Sequence, residues 1–179
     1  MRYSQLRDLD IVNGLDIGAA LFVQGCPLHC PNCFNQSTWD FEGGKEFDEW
    51  TRYKFLRQVD KDYIKRISIL GGEPLAPQNI EEVLYLMWDI KTKYPNKQIW
   101  LYSGYTMEEI ICDVRYSNGK CNALKFADYV VVGRYIDRLK DLNLKFRGSS
   151  NQKIYHVNHS KSMLDVNIPI DVTDKIDNM

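Results

Sequence analysis

Four short runs rich in apolar residues, each followed by a glycine-containing turn, constrain the fold of this chain more than any other feature. The runs are residues 19–23, 66–70, 98–102 and 129–132, and the turns contain Gly25, Gly71, Gly104 and Gly133. Runs of this length, bounded by glycine or proline, are typical of strands buried on both faces. The sequence therefore predicts four central strands, with a fifth strand over residues 153–157.

Helical patterns alternate with these runs. The most regular one follows Asn79 and ends before Tyr94 and Pro95, and its apolar positions are Ile80, Val83, Leu84, Met87 and Ile90. Asn79 and Glu82 predict a capping box at its start. Two further helices are predicted, one opening at residues 46–50 and continuing through Leu56, the other around residues 107–114. This alternation predicts an α/β fold, a mostly parallel sheet with flanking helices.

The composition is that of an ordinary globular chain. It has 179 residues, 44% of them hydrophobic, and 23 basic against 24 acidic side chains leave a net charge of -1. We expect one domain over residues 1–179, with a loosely ordered C-terminal tail from about residue 165. The balanced charge argues against nucleic acid as a partner. No apolar run approaches the roughly 18 residues of a membrane span, and the N-terminus lacks a signal-peptide pattern, so we expect a cytoplasmic protein and no membrane partner.

Three of the five cysteines lie within eight residues and suggest a metal site. Cys26, Cys30 and Cys33 form the pattern C-x3-C-x2-C on a loop that follows the first apolar run. Thiols at short fixed spacing in a reducing compartment are more often ligands than disulfides. Three thiolates can hold a four-iron cluster and leave one iron open to another ligand. A zinc site completed by Cys112, Cys121 or a histidine, and purely structural thiols, remain alternatives.

The turns after the strands are expected to form one site, because functional groups in parallel sheets gather beyond the carboxyl ends of the strands. That edge would bring together the cysteine loop, the turn at residues 71–74, Ser103 and the turn at Gly133. A complete eight-unit barrel needs about 250 residues, so this chain has room for a partial (β/α) barrel or an open sheet.

The cysteine pattern after the first of these strands, together with Gly71-Gly72-Glu73-Pro74 after the second, resembles the radical S-adenosylmethionine (SAM) superfamily. Within it, residues 10–14 and 147–152 resemble the family of activating proteins of anaerobic ribonucleoside-triphosphate reductase. The resemblance implies a partial barrel, a 4Fe-4S cluster on Cys26, Cys30 and Cys33, and SAM at residues 71–74.

The resemblance also implies an enzyme, a radical SAM oxidoreductase that cleaves SAM reductively. The 5'-deoxyadenosyl radical would then generate a glycyl radical on the large subunit of the reductase, and a flavodoxin-like protein or another one-electron donor would supply the electron. Asn32 stands where many members of the superfamily place an aromatic residue, so Phe34 is the alternative neighbour of the adenine. We assign Asn32, Cys33, Phe34 and Ser103 to the cofactor site with the glycine-rich turn.

Several features allow other interpretations. The chain could instead activate another glycyl-radical enzyme, such as pyruvate formate-lyase, act on a small molecule, or be a non-catalytic zinc or iron-sulfur module. Glu73 could contact the SAM ammonium group or cap backbone amides of its own loop. We expect His29 to face solvent, Cys112 to be a buried helical residue and Cys121 to be a loop thiol. Trp39, Tyr105 and Tyr135 are candidate docking aromatics, although such residues more often belong to the core.

Overall fold

A computed structural model describes residues 1–111, 119–158 and 169–179. In these residues the chain forms eight strands and four α-helices. The strands are β1 (Arg2–Asp10), β2 (Gly18–Val23), β3 (Lys45–Glu46), β4 (Arg66–Gly71), β5 (Gln98–Ser103), β6 (Tyr129–Val132), β7 (Lys153–His156) and β8 (Ile170–Asp171). The helices are α1 (Glu49–Val59), α2 (Ile80–Lys93), α3 (Met107–Ile111) and α4 (Thr173–Asp177). None of the helices in this part of the chain is long and apolar enough to cross a membrane.

The strands form one mixed sheet in the order β3-β1-β2-β4-β5-β6-β7-β8. The four central strands, β2, β4, β5 and β6, pair in parallel, whereas β1, β3, β7 and β8 pair antiparallel at the two edges. The prediction of a mostly parallel sheet is therefore correct for the centre only.

The two antiparallel edges follow from the lengths and content of their connections. The loop between β1 and β2 is too short for the crossover that a parallel pair requires. Between β6 and β7 the chain forms only the 3-10 helix Asp137–Leu139, so no α-helix returns it to the amino end of the sheet. β7 therefore starts from the carboxyl end of β6.

The two faces of the sheet have different coverings. Alternate strand residues, Leu21, Ile69, Leu101 and Val132 among them, share one core with the apolar faces of α1, α2 and α3. The intervening residues point the opposite way, since successive strand side chains alternate between faces. Of these, Phe22, Leu70, Tyr102 and Val131 line a cavity on the face without these helices.

Most predicted elements are confirmed, with different ends. The five predicted strands correspond to β2, β4, β5, β6 and β7, and α2 follows the apolar pattern that predicted it. Helix α1 begins later than expected, at Glu49, because the Asp48 carboxylate caps it by accepting a hydrogen bond from the Thr51 amide at 2.7 Å. Helix α3 agrees with the prediction up to Ile111; the predicted continuation, with Cys112, lies outside the described residues. Of the predicted tail, residues 170–171 form β8 and residues 173–177 form α4, with Ile176 buried.

The predicted capping box at α2 is wrong. Asn79 makes no side-chain cap, and its amide instead donates to the backbone oxygens of Gln24 at 2.9 Å and Glu73 at 3.0 Å. Glu82 forms an ion pair with Arg52 on α1. The tertiary structure overrides the local pattern, because the Asn79 side chain joins its own loop at Glu73 to the distant end of β2 at Gln24.

A fully buried arginine holds the amino end of the central sheet. Arg66, the first residue of β4, donates to the Asp10 carboxylate at 3.0 Å and to the carbonyl oxygens of Asp10 at 2.8 Å, Asn13 at 2.7 Å and Leu15 at 2.7 Å. Neither charged side chain of the pair is exposed. The pKa of Asp10 is lowered: burial alone would raise it, and hydrogen bonds from Asn13 and Arg66 outweigh that effect. This network fixes the loop of residues 11–17 between β1 and β2.

Candidate functional site

The carboxyl ends of the parallel strands open into a cavity of about 470 Å³. The predicted site residues that line it are Cys26, Cys30, Cys33, Phe34, Gly71, Gly72, Glu73 and Ser103. The cysteine loop follows β2, the glycine-rich turn follows β4, and Ser103 ends β5. The structure therefore brings the two sequence motifs to one place, as their positions after parallel strands predict.

The cysteine loop starts from a turn that only glycine fits. Gly25 has a φ of +91°, and a Cβ there would lie 2.1 Å from Cδ1 of Phe41. At this turn, the Gly25 amide donates to the Thr38 carbonyl at 2.8 Å. The Cys26 amide, one residue further, donates to the Trp39 carbonyl at 3.0 Å. The loop is thus tied at its base to residues beyond its last cysteine, and the three thiols face the same cavity.

The glycine-rich turn packs directly on the base of the cysteine loop. The Glu73 amide donates to the Gly25 carbonyl at 2.8 Å, and a Cβ on Gly72 would lie 2.4 Å from that same oxygen. The Asn79 side chain bridges the two segments through the carbonyls of Gln24 and Glu73. The two motifs therefore form one rigid unit, and the absence of a side chain at Gly72 permits their close approach.

Glu73 is buried within this unit, with 1% of its surface exposed. Its carboxylate accepts hydrogen bonds from the Ser103 hydroxyl at 2.9 Å and from the amides of Leu75 at 2.9 Å and Gly104 at 2.7 Å. Burial raises its pKa from 4.5 to about 7, although these hydrogen bonds act in the opposite direction. Of the two predicted roles for Glu73, the structure displays the capping of backbone amides.

The cysteines have the chemistry and placement of cluster ligands. Burial raises the pKa of the Cys26 and Cys30 thiols, and each thiol interacts electrostatically with a neighbouring cysteine of the loop. In the part of the chain that the structure describes, no three His, Cys, Asp or Glu side chains converge closely enough to hold a single metal ion. A 4Fe-4S cluster is bound by thiolates at separate irons, so its ligands stand farther apart. Three half-buried thiols that line one cavity fit the donor set of such a cluster.

Two predicted cofactor residues do not line the cavity. Asn32 is exposed, adopts a left-handed backbone with φ of 57°, and donates to the Asp137 carboxylate at 2.9 Å. Pro74 is buried behind the turn. Phe34 does line the cavity, with its ring centroid 5.0 Å from that of Tyr135. Of the two predicted neighbours of an adenine, only Phe34 lines the cavity.

Among the remaining candidates, the three aromatics are partly or fully buried, whereas His29 is exposed as expected. Tyr135 is only 9% exposed, and Trp39 and Tyr105 are half-buried. The His29 ring stacks on Trp39 with centroids 4.6 Å apart. Cys121 is half-buried on the 3-10 helix Lys120–Lys125, away from the cavity. Of the two interpretations of Tyr135, the structure agrees with the core position, since its ring packs against Phe34 in the cavity lining.

The sequence did not reveal the floor of the cavity. Phe22, Leu70, Tyr102 and Val131 form an apolar row across the four parallel strands. Three residues that line the cavity have a buried polar atom without a hydrogen-bond partner in the described structure. These atoms are the Tyr102 hydroxyl, Trp39 Nε1 and Arg147 Nε. Buried donors of this kind suit a bound polar molecule. Strand periodicity could have identified the floor, but not which face α1, α2 and α3 cover.

Comparison with known proteins first defines the class. Residues 12–155 match the family of 4Fe-4S single cluster domains. The match includes the whole cysteine loop, the glycine-rich turn and all four parallel strands, so the class agrees with the donor set of the cavity.

Curated relatives then define the family. An anaerobic ribonucleoside-triphosphate reductase-activating protein of Escherichia coli (strain K12) is 36% identical over 159 residues, which cover 88% of this chain and 99% of the relative. The protein of the same name from Enterobacteria phage T4 is 36% identical over 155 residues, covering 87% and 94%. The one from Haemophilus influenzae is 33% identical over 157 residues, covering 87% and 97%. This chain belongs to the anaerobic ribonucleoside-triphosphate reductase-activating protein family.

Proposed function

We propose that this protein is a radical SAM enzyme that generates a glycyl radical on an anaerobic ribonucleoside-triphosphate reductase. The observation that carries the proposal is the shared cavity of the cysteine loop and the glycine-rich turn. The printed names of the relatives support the choice of target. The four-stranded parallel centre, with helices on one face, supports a partial (β/α) barrel of the radical SAM type.

Cys26, Cys30 and Cys33 would hold the 4Fe-4S cluster and leave one iron open. When bound, the cluster would supply one electron for the cleavage of SAM to methionine and a 5'-deoxyadenosyl radical, and that radical would take a hydrogen atom from a glycine Cα of the partner. A flavodoxin-like protein or another one-electron donor would supply that electron. The thiols themselves serve as thiolate ligands, so their protons leave when the cluster is assembled.

The chain's own residues would orient SAM. Gly71 and Gly72 present backbone without side chains, and the Glu73 carboxylate fixes the amide of Gly104 and the hydroxyl of Ser103 across the gap between β4 and β5. Phe34 provides an aromatic face for the adenine. The apolar floor excludes water from a reactive carbon radical.

An anaerobic assay tests the proposal. The protein is reconstituted with iron and sulfide, reduced with dithionite and given SAM, and 5'-deoxyadenosine is quantified beside a Cys30→Ala variant and a matched Cys121→Ala control. We expect product from wild type and Cys121→Ala, and a complete loss in Cys30→Ala. A cluster that forms without any product from wild-type protein would contradict the radical SAM assignment.

A second experiment tests which enzyme receives the glycyl radical. Wild-type protein is incubated with SAM and either anaerobic ribonucleoside-triphosphate reductase or pyruvate formate-lyase, and the glycyl radical is counted by electron paramagnetic resonance. We expect the signal on the reductase alone. A signal only on the other enzyme would retain the chemistry and replace the target.

A non-catalytic zinc module is the competing function. Zinc in structural sites takes four protein ligands. Neither His29 nor Cys121 lines the cavity, although the Glu73 carboxylate does. Zinc bound at one equivalent by wild-type protein, together with no iron-sulfur absorption after reconstitution, would favour that module.

A further inference from the structure

Exposed apolar side chains lie beside the mouth of the cavity on three separate segments: the loop between β1 and β2, the cysteine loop and the segment that contains Leu142. In the loop between β1 and β2, Ile11 is 69% exposed and Val12 is 58% exposed. Leu142 is 82% exposed on its segment, and Phe34 is 57% exposed on the cysteine loop. Val12 and Phe34 also line the cavity, as does Leu144, two residues after Leu142. The apolar surface is therefore continuous with the cavity lining.

The loop that carries Ile11 and Val12 is firmly held, despite its exposed apolar tip. Arg66 donates to the carbonyls of Asp10, Asn13 and Leu15, and the Asp10 carboxylate accepts from the Asn13 amide at 2.9 Å. The Leu15 side chain packs into the cluster around Trp100. Two apolar side chains displayed on a loop fixed at both flanks form a surface with a defined shape, and such surfaces are typical of binding sites.

We propose that this rim, defined as Ile11, Val12, Phe34 and Leu142, docks the polypeptide segment of the reductase that carries the target glycine. The inference rests on the proposed function, because a protein substrate must bring its glycine into this cavity and therefore cross its mouth. An extended segment with apolar side chains on either side of the glycine would cover the rim as the glycine enters. Docking of this kind also excludes water from the cavity.

The rim differs from the other exposed aromatic surface of the molecule. Trp50 stacks on Tyr53, and Tyr85 stacks on Trp88, on helices α1 and α2. Those helices cover the opposite face of the sheet, so their surface has no continuity with the cavity. Of these two surfaces of the described residues, the rim is the one that lies where the substrate must pass.

The test separates docking from cofactor chemistry by two substitutions that leave the cavity lining intact. Ile11→Ser and Leu142→Ser remove exposed apolar groups that do not line the cavity, and Ile170→Ser, on the edge strand β8 and 55% exposed, is the matched control. The binding constant for the reductase is measured by sedimentation, and 5'-deoxyadenosine and glycyl radical are measured separately.

We expect each rim substitution to weaken binding of the reductase about tenfold and the pair about 100-fold. The KM for the reductase rises in parallel, while dithionite-driven formation of 5'-deoxyadenosine without partner stays at the wild-type level. Ile11→Leu retains wild-type affinity, since it keeps the apolar area.

Three results would overturn the docking proposal. Unchanged affinity in the double variant would remove the rim from the interface. Loss of 5'-deoxyadenosine formation in the same variant would assign these residues to the cofactor site. Self-association of wild-type protein that the double variant abolishes would make a second copy of this chain the occupant. If wild-type protein forms no 5'-deoxyadenosine yet binds the reductase through the rim, the proposed chemistry fails and the docking surface stands.

Discussion

Arg66 and Glu73 stand at opposite ends of β4 and show two ways of burying a charged group. Arg66 is fully buried against the Asp10 carboxylate, so the two charges compensate each other. Glu73 is equally buried, but its hydrogen-bond donors are neutral, and its pKa rises to about 7. The amino end of the sheet thus has a permanent ion pair with a structural task. The carboxyl end of the sheet, where the candidate site lies, has a carboxyl group whose pKa is close to neutral pH.

Removing the buried ion pair at the amino end of the sheet has the largest expected effect on the free energy of unfolding. Arg66→Met removes the buried partner of the Asp10 carboxylate, leaves it only the more exposed Arg7 at 3.5 Å, and deprives several carbonyl oxygens around the loop 11–17 of their donor. We expect the free energy of unfolding to fall by about 4 kcal/mol in a denaturant titration, as for other broken buried pairs.

The matched control is Arg52→Met, which breaks the more exposed pair with Glu82 between α1 and α2. We expect a loss of about 1 kcal/mol there. Equal losses for the two variants would contradict the structural role of the buried pair.

Replacing Glu73 with a neutral residue tests its raised pKa through the pH dependence of the free energy of unfolding. Because the folded pKa is near 7 and the ordinary value is 4.5, the unfolded chain releases this proton first as pH rises. The free energy of unfolding of the cluster-free protein should therefore fall between pH 4.5 and 7, by about 3 kcal/mol from this group. Glu73→Gln should remove that slope, because the amide does not titrate; its nitrogen also loses one of the hydrogen bonds that the carboxylate accepts, which lowers stability equally at every pH.

Glu109 provides the opposite sign as a control. Its hydrogen bonds with Arg134 lower its pKa, so it stabilises the fold above its ordinary pKa and loses that effect as pH falls. Glu109→Gln should weaken the protein slightly at neutral pH. A Glu73→Gln variant with the wild-type pH profile would show that the Glu73 carboxyl titrates normally.

The smallest effect concerns the contact between the two loops at the carboxyl end. A Cβ on Gly72 meets the backbone oxygen of Gly25, whereas one on Gly104 meets only the end of the Leu28 side chain, at 2.3 Å. We expect Gly72→Ala to destabilise by about 2 kcal/mol and Gly104→Ala by less than about 1 kcal/mol, because a side-chain end can move. Thermal unfolding measures both, and the iron bound after reconstitution should fall only for Gly72→Ala. Equal costs would mean that the two loops are not in rigid contact.

The sequence predicted the carboxyl end better than the amino end. Strands β2, β4, β5 and β6 were predicted because residues buried on both faces are apolar throughout. The turns that follow them carry conspicuous cysteines and glycines, so the site could be placed before the structure was known. Strand β1 was missed because its half-buried residues alternate polar and apolar types only weakly.

What the sequence could not predict depends on distant partners. Arg66 looked like an ordinary first residue of a strand, and nothing local indicates that its side chain turns inward to Asp10. Asn79 has the pattern of a helix cap, yet its side chain donates to the carbonyl of Gln24, 55 positions away, and to that of Glu73 in its own loop. The exposed positions of Ile11 and Leu142 likewise follow from which segments surround the cavity, not from their own neighbours in the chain.

The hydrogen bonds of Arg66 also bear on the order in which the molecule forms. They join residues 50 to 56 positions apart, so the loop 11–17 cannot take its shape until β4 is beside β2. During synthesis the apolar tip of that loop emerges well before the arginine that fixes it, and contacts of such separation form late in folding. The rim therefore acquires its shape only in a chain that has completed its central sheet, and a partner that recognises this shape binds mature protein and not nascent chains.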